Sequence, residues 1–124
     1  MKIIETNKAP AAIGPYSQAI VANGLVYTSG QIPIDPRTGN IEAACIDVQT
    51  EQVIKNLVAV LEAAGSSLER VVKTTCFLKN ISDFAAFNGI YEQYFTGKPA
   101  RSCVEVAALP KGALAEIEVL AEEG

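Results

Sequence analysis

Between Lys98 and Leu120 the chain reads Lys-Pro-Ala-Arg-Ser-Cys-Val-Glu-Val-Ala-Ala-Leu-Pro-Lys-Gly-Ala-Leu-Ala-Glu-Ile-Glu-Val-Leu. Arg101, Cys103 and Glu116 in this stretch could do chemistry. A guanidinium such as that of Arg101 can clamp a carboxylate through two parallel hydrogen bonds, although most arginines are simply solvated. Glu116 could exchange a proton or only face water. A nucleophilic thiol needs a depressed pKa, and the chain has no histidine to provide one for Cys103. Filler is the more ordinary role of a strand cysteine; its backbone amide is the better functional group. The missing histidine also rules out a histidine triad or a histidine-ligated zinc site. Acid–base work would fall to Glu, Asp, Tyr, Lys, Cys or a held water.

The elements that carry these groups read as two strands joined by a turn at Leu109-Pro110-Lys111-Gly112. Strand side chains alternate between faces. An apolar face then collects Ser102, Val104, Val106, Ala115, Ile117 and Val119. The other collects Arg101, Cys103, Glu105, Leu114, Glu116, Glu118 and Leu120. A hairpin symmetric about Pro110-Lys111 sets Glu105 opposite Glu116, and like charge would then raise a carboxylate pKa. It sets Arg101 about four residues from Glu116 along the sheet, roughly 13 Å. That is too far for an ion pair, but two walls of one pocket are possible.

Upstream, Lys2 to Glu5 reads as an edge strand. Asn7 to Tyr16 reads as a loop because of Pro10, Gly14 and Pro15. Gln18 to Ala22 and Leu25 to Thr28 flank Asn23-Gly24, the dipeptide of a type I′ hairpin turn. Val53, Leu57, Val60, Leu61 and Ala64 recur at helical spacing from about Ile46 to Ala64, and Gly65 ends that helix. Val71 to Leu78 reads as a mostly buried strand. Ser82 is the expected N-cap of a second helix, with Phe84, Phe87, Ile90, Tyr91 and Tyr94 as its apolar stripe. The order is β-β-β-α-β-α-β-β. It predicts one α+β domain over 1–124, a two-layer sandwich of a mixed sheet with two helices on one face. The apolar second face, with small residues such as Ala19, Ala22, Ala107 and Ala108, predicts packing against other subunits.

Four further residues join the candidate list. Tyr16 is a loop aromatic whose hydroxyl could donate to a substrate or cover a pocket. Ser29 and Gly30 end a strand where a ligand or backbone can come close. Asn88 interrupts an apolar helix, either as an exposed position or as a deliberate polar contact.

With 124 residues and 49% apolar composition, the chain can bury a sizeable core. Its formal charge of −4, with scattered lysines and arginines, gives nucleic-acid binding little support. The three cysteines are far apart and form no C-x-x-C pair, which fits a reducing compartment. No signal-like start or membrane-length apolar run is present, so a cytoplasmic protein without membrane association is expected.

Several segments together resemble the RidA (YjgF) family of reactive intermediate/imine deaminases. They are Ile13-Gly14-Pro15-Tyr16-Ser17-Gln18-Ala19, Thr28-Ser29-Gly30-Gln31-Ile32, Gln49-Thr50-Glu51-Gln52, Asn88 with Tyr91, Pro99 to Val106, Leu109-Pro110-Lys111 and Glu116-Ile117-Glu118. Each is weak alone; their order and spacing are specific, and the resemblance spans essentially the whole chain. It implies a chorismate-mutase-like homotrimer with a central β-barrel and clefts between subunits. It implies a hydrolase for metabolite damage control, turning imines and enamines such as 2-aminoacrylate from pyridoxal-phosphate enzymes into 2-keto acids and ammonia. No cofactor or metal is implied. Arg101 would hold the substrate carboxylate and Glu116 would orient the water and shuttle a proton. Tyr16, Ser29, Gly30 and Cys103 would line the pocket, with Asn88 in its wall and loop residues arriving from the neighbouring subunit. The alternatives are a keto-acid-binding regulatory trimer without turnover, and an RNA-directed translation inhibitor or endoribonuclease. The acidic charge balance counts against the latter.

Overall fold

The computed structural model describes residues 1–124. Its elements follow the expected order: β1 (Lys2–Ile4), β2 (Ala19–Ala22), β3 (Leu25–Thr28), α1 (Ile46–Ala63), β4 (Val71–Leu78), α2 (Phe84–Tyr94), β5 (Ala100–Glu105) and β6 (Ala115–Glu122). The six strands form one mixed sheet in the order β1-β2-β3-β6-β4-β5. Only β4 and β5 run parallel.

Local chemistry explains most boundaries. Asn23 (φ 53°) and Gly24 (φ 78°) are both left-handed, as a type I′ turn requires. On α1, Val53, Ile54, Leu57, Val60 and Leu61 are fully buried, giving the stripe that seats the helix on the sheet. Each large aliphatic side chain buried this way contributes about 1.5–3 kcal/mol. Gly65 (φ 76°) takes the left-handed position after the helix. Ser82 is not the cap of α2. A 3-10 turn over Ile81–Asp83 precedes the helix and Asp83 holds the cap position without a side-chain bond. The amide of Ile81 instead donates to Glu105 Oε1 at 2.8 Å.

The C-terminal strands do not form a hairpin. β4 lies between β5 and β6. The cause is α2: a strand–helix–strand connection returns the chain in its original direction, so β5 pairs parallel with β4. β6 then takes the opposite edge of β4.

This topology changes which residues share a face. Arg101, Cys103 and Glu105 pair in register with Thr74, Cys76 and Leu78, whose side chains are fully buried on the helix side. On β6, Ala115, Ile117 and Val119 also face the helices, while Glu116 lies beside Phe77 and Glu118 beside Thr75 on the other face. The expected juxtaposition of Glu105 and Glu116 is therefore absent, and Ser102 and Val104 point away from the core.

The face without helices carries Ile3, Ile20, Leu25, Tyr27, Phe77, Val104 and Leu120. Ile3, Tyr27 and Val104 are 63%, 46% and 46% exposed. Ala22 belongs to this face too, but Ala19 is buried under the helices, and Ala107 and Ala108 lie exposed after β5. No helix is long and apolar enough to cross a membrane.

Candidate active site

Arg101 starts on an edge strand and reaches back over α2. Phe84, Asn88 and Tyr91 stand at i, i+4 and i+7 on that helix and so share one face. Asn88 Oδ1 accepts from Arg101 Nη1 at 2.6 Å. The guanidinium carbon lies 4.8 Å from the Tyr91 ring centroid and 5.5 Å from that of Phe84, within cation–π range. Arg101 has no carboxylate partner, since the chain's one ion pair joins Arg37 and Asp35. Its remaining donors are available at a cleft of about 380 Å³ lined also by Asn88, Tyr91, Glu92, Phe95 and Lys98. Asn88 is thus the polar contact, not the idle surface position.

Cys103 sits half-buried beside this guanidinium, next to Cys76 on β4. Burial pushes the Cys103 thiol up, with Arg101 opposing the shift. Burial raises Cys76 to about 12. Neither is a thiolate at neutral pH, which agrees with a lining role for Cys103 and not a nucleophilic one.

Glu116 stands on the opposite face. It is half-buried, and burial first, then the neighbouring Glu118, raises its carboxyl pKa. The direction matches the expectation; the cause does not, because Glu105 is on the other side of the sheet. Gly30 packs directly on this carboxylate. A Cβ at position 30 would stand 1.9 Å from Glu116 Oε2 and 2.8 Å from its carboxyl carbon. The close approach anticipated for this glycine is therefore that of the acid itself. Reciprocal bonds between Gln31 and Ile117, at 2.9 and 3.1 Å, fix the segment against β6.

Polar side chains hold the loops around Glu116. Ser29 Oγ donates to the Ser17 carbonyl at 2.5 Å. Gln18, buried, accepts from the Thr6 amide at 2.7 Å and donates to the Pro10 carbonyl at 2.7 Å. Asn56 donates from α1 to the carbonyls of Ile32 and Ile34 at 3.1 and 2.9 Å. Tyr16, 54% exposed, projects from the loop so braced and lines two grooves of about 470 and 410 Å³. Gln18 and Asn56 were not among the sequence candidates. The available signal was a polar amide at a core position of an otherwise apolar pattern, as at Asn56.

The candidates thus fall into two groups. Arg101, Asn88 and Cys103 gather on the helix side of β5; Glu116, Gly30, Ser29 and the Tyr16 loop gather near β6 and β3. Arg101 aligns with Val119 through Thr74, three residues from Glu116 and two strands away. The backbones are about 14 Å apart, taking about 3.3 Å per residue and about 4.8 Å per strand, and the side chains leave on opposite faces. One chain does not bring these two groups to a common ligand.

A mixed sheet backed by two helices, with an arginine that has no carboxylate partner and a half-buried carboxyl of raised pKa, defines an α+β protein. The profile of the family described as endoribonuclease L-PSP matches residues 6–123. A 2-iminobutanoate/2-iminopropanoate deaminase of Salmonella typhimurium is 50% identical over 97% of this chain and 96% of its own. The Rattus norvegicus protein of the same name is 48% identical over 99% of this chain and 90% of its own. The crystal structure of the Rid-family protein YyfA from Yersinia pestis superposes with a TM-score of 0.95, at 57% identity, with 98% of each chain covered. The chain belongs to this family, the RidA (YjgF) family.

Proposed function

We propose that the chain is a cofactor-independent deaminase that hydrolyses 2-iminobutanoate and 2-iminopropanoate, the imine forms of enamines such as 2-aminoacrylate. Relatives about 50% identical bear that name. The observation that carries the reading is the guanidinium of Arg101, held at 2.6 Å by Asn88 yet paired with no carboxylate of its own chain. Such a fork suits the carboxylate of a 2-imino acid.

The chemistry asks little of the protein. The carbon of a protonated imine is already electrophilic. Arg101 holds the carboxylate; the Cys103 amide and Asn88 complete that wall. Glu116, whose carboxyl burial and the neighbouring Glu118 hold above its ordinary range, takes a proton from the attacking water. The carbinolamine receives that proton on nitrogen, the C–N bond breaks as the hydroxyl gives its own proton back to Glu116, and ammonia leaves with the 2-keto acid behind, finally taking up from Glu116 the proton that the protonated imine brought. Water supplies the oxygen of the new carbonyl, so the sum is imine plus water to keto acid plus ammonia.

Opposite-face placement of Arg101 and Glu116 supports an oligomer as the working unit. We assign the carboxylate wall to one subunit and the Glu116 wall, with Tyr16, Ser29 and Gly30, to its neighbour. The apolar face around Tyr27, Phe77 and Leu120 fits closure of a homotrimer about a central barrel.

The test is complementation. Arg101→Ala and Glu116→Gln are each made, unfolded, mixed one to one and refolded together. Random assembly gives about a quarter of the interfaces both native groups. About a quarter of wild-type keto-acid release is therefore expected, from two variants nearly inactive alone. No recovery in mixed assemblies, verified by mass, would sink the shared site. Retention of full activity by Arg101→Ala would sink the deaminase mechanism.

A further inference from the structure

We infer that Tyr91 and Thr74 form a positioning pair for the carboxylate clamp, with the Tyr91 hydroxyl fixed to strand β4 so that its ring holds the Arg101 guanidinium in place. This rests on the reading of Arg101 as that clamp.

Thr74 is fully buried in the middle of β4 and is the in-register neighbour of Arg101. Its Oγ1 and the Tyr91 hydroxyl share a hydrogen bond of 2.7 Å. Tyr91 is 8% exposed, and Phe95 stacks on it with centroids 4.4 Å apart. Phe87 packs 5.8 Å away on the same helix. The ring is therefore fixed by stacking on one side and through its hydroxyl at its tip. Arg101 meets its π-face, with the guanidinium carbon 4.8 Å from the ring centroid.

A buried tyrosine hydroxyl needs a partner, so a bond alone would be unremarkable. The selection of partner carries the argument. Thr74 stands one strand from Arg101 at the same register, so the bond references the ring to the strand paired with the one that launches the arginine. Asn88 holds one edge of the guanidinium, Tyr91 its face, and both come from α2. A flexible side chain held in its binding geometry loses less freedom when ligand arrives. A clamp that binds competently only part of the time shows affinity reduced by that fraction.

The test measures binding of a 2-keto acid, 2-oxobutanoate, by calorimetry, together with KM and kcat for imine hydrolysis. The proteins are wild type, Arg101→Ala, Tyr91→Phe, Thr74→Val, the Tyr91→Phe/Thr74→Val double variant, Thr74→Ser and Val26→Ala. Tyr91→Phe and Thr74→Val are each expected to weaken 2-oxobutanoate binding and raise KM by about fivefold, the size of a weakened cation–π contact. kcat stays within about twofold, because the carboxylate contact is the same in ground and transition states. The double variant should be no weaker than either single one, since both remove one bond. Thr74→Ser restores the oxygen and should bind as wild type does. Val26→Ala, a core substitution on β3 two strands away from β4, lowers Tm but leaves affinity unchanged. If Tyr91→Phe fails to fold, Thr74→Val against Thr74→Ser still decides.

Wild-type affinity in both Tyr91→Phe and Thr74→Val, alongside lost binding in Arg101→Ala, overturns the positioning role and leaves the clamp standing. Affinity losses that only track Tm across all variants, Val26→Ala included, overturn it too. Unchanged binding in Arg101→Ala overturns the clamp itself.

Discussion

Replacing Gly30 with alanine tests the geometry of Glu116 with a single methyl group. The new Cβ would stand 1.9 Å from Oε2, against an ordinary carbon–oxygen contact of about 3.3 Å. The carboxylate must retreat by about 1.4 Å. Stability should hardly register this. Glu116 Oε2 lies at the end of a flexible side chain, and turning it off its rotamer costs about 0.5–1.5 kcal/mol. Position 30 is not in the left-handed region, so alanine fits the backbone and gains about 0.4–1 kcal/mol by restricting the unfolded chain. These nearly cancel. Catalysis has no such compensation, because misplacing a reacting group by about 1 Å costs about 100-fold. Gly30→Ala should therefore unfold in urea within about 1 kcal/mol of wild type while kcat falls about 100-fold. The assay follows 2-oxobutanoate release from imine generated in place by a threonine dehydratase. The same substitution added to Glu116→Gln should cost little more, because the group it displaces no longer acts. A folded Gly30→Ala protein with kcat within about threefold of wild type would refute the reasoning.

Two further perturbations follow from the same geometry. The folded pKa of Glu116 is raised above its ordinary 4.5, so the folded state holds the proton more tightly than the unfolded one. Its ionisation then works against folding: the penalty is absent below 4.5, grows as pH rises through the folded pKa, and is complete above it. Glu116→Gln should accordingly stabilise the chain at neutral pH, with no gain at acid pH in parallel melts, while activity drops about 100- to 10,000-fold. An unchanged or lower Tm for that variant at pH 7 would contradict the burial argument. Asn56→Leu strips partners from the carbonyls of Ile32 and Ile34. It should lower unfolding free energy by about 1–3 kcal/mol in urea; a neutral result would mean that water replaces both bonds.

How far the sequence could be read depended on whether the signal was local. The Asn23-Gly24 turn, the α1 stripe from Val53 to Leu61 and its Gly65 end are each written within a few residues, and each stands as expected. Strand adjacency is not written that way. Arg101 and Glu116 lie on strands consecutive in the chain, so they read as a hairpin, yet α2 between β4 and β5 dictates that β5 pair with β4. Once β4 is inserted, parity fixes Arg101 beside Thr74 and Glu116 beside Phe77, on opposite faces. The two residues were recognisable by type; the face each occupies was not, because that is settled by pairing among three strands.

The same inversion explains why the polar groups on β5 do not simply disrupt a core. Cys103 continues the buried row of Cys76 and Ile117 to the edge of the sheet. One step along that edge, Arg101 meets an asparagine and two aromatic rings instead of a counter-ion. A carboxylate of its own chain in that place would neutralise the guanidinium and occupy the fork. An amide carbonyl and π-faces orient it and leave its charge free. Glu105, the nearest acid on β5, is committed instead to the Ile81 amide at the start of the turn before α2. The helix that reverses the expected strand pairing therefore also supplies the holder for Arg101. Moving Asn88, Tyr91 or that turn should alter ligand affinity before it alters the water activation proposed for Glu116.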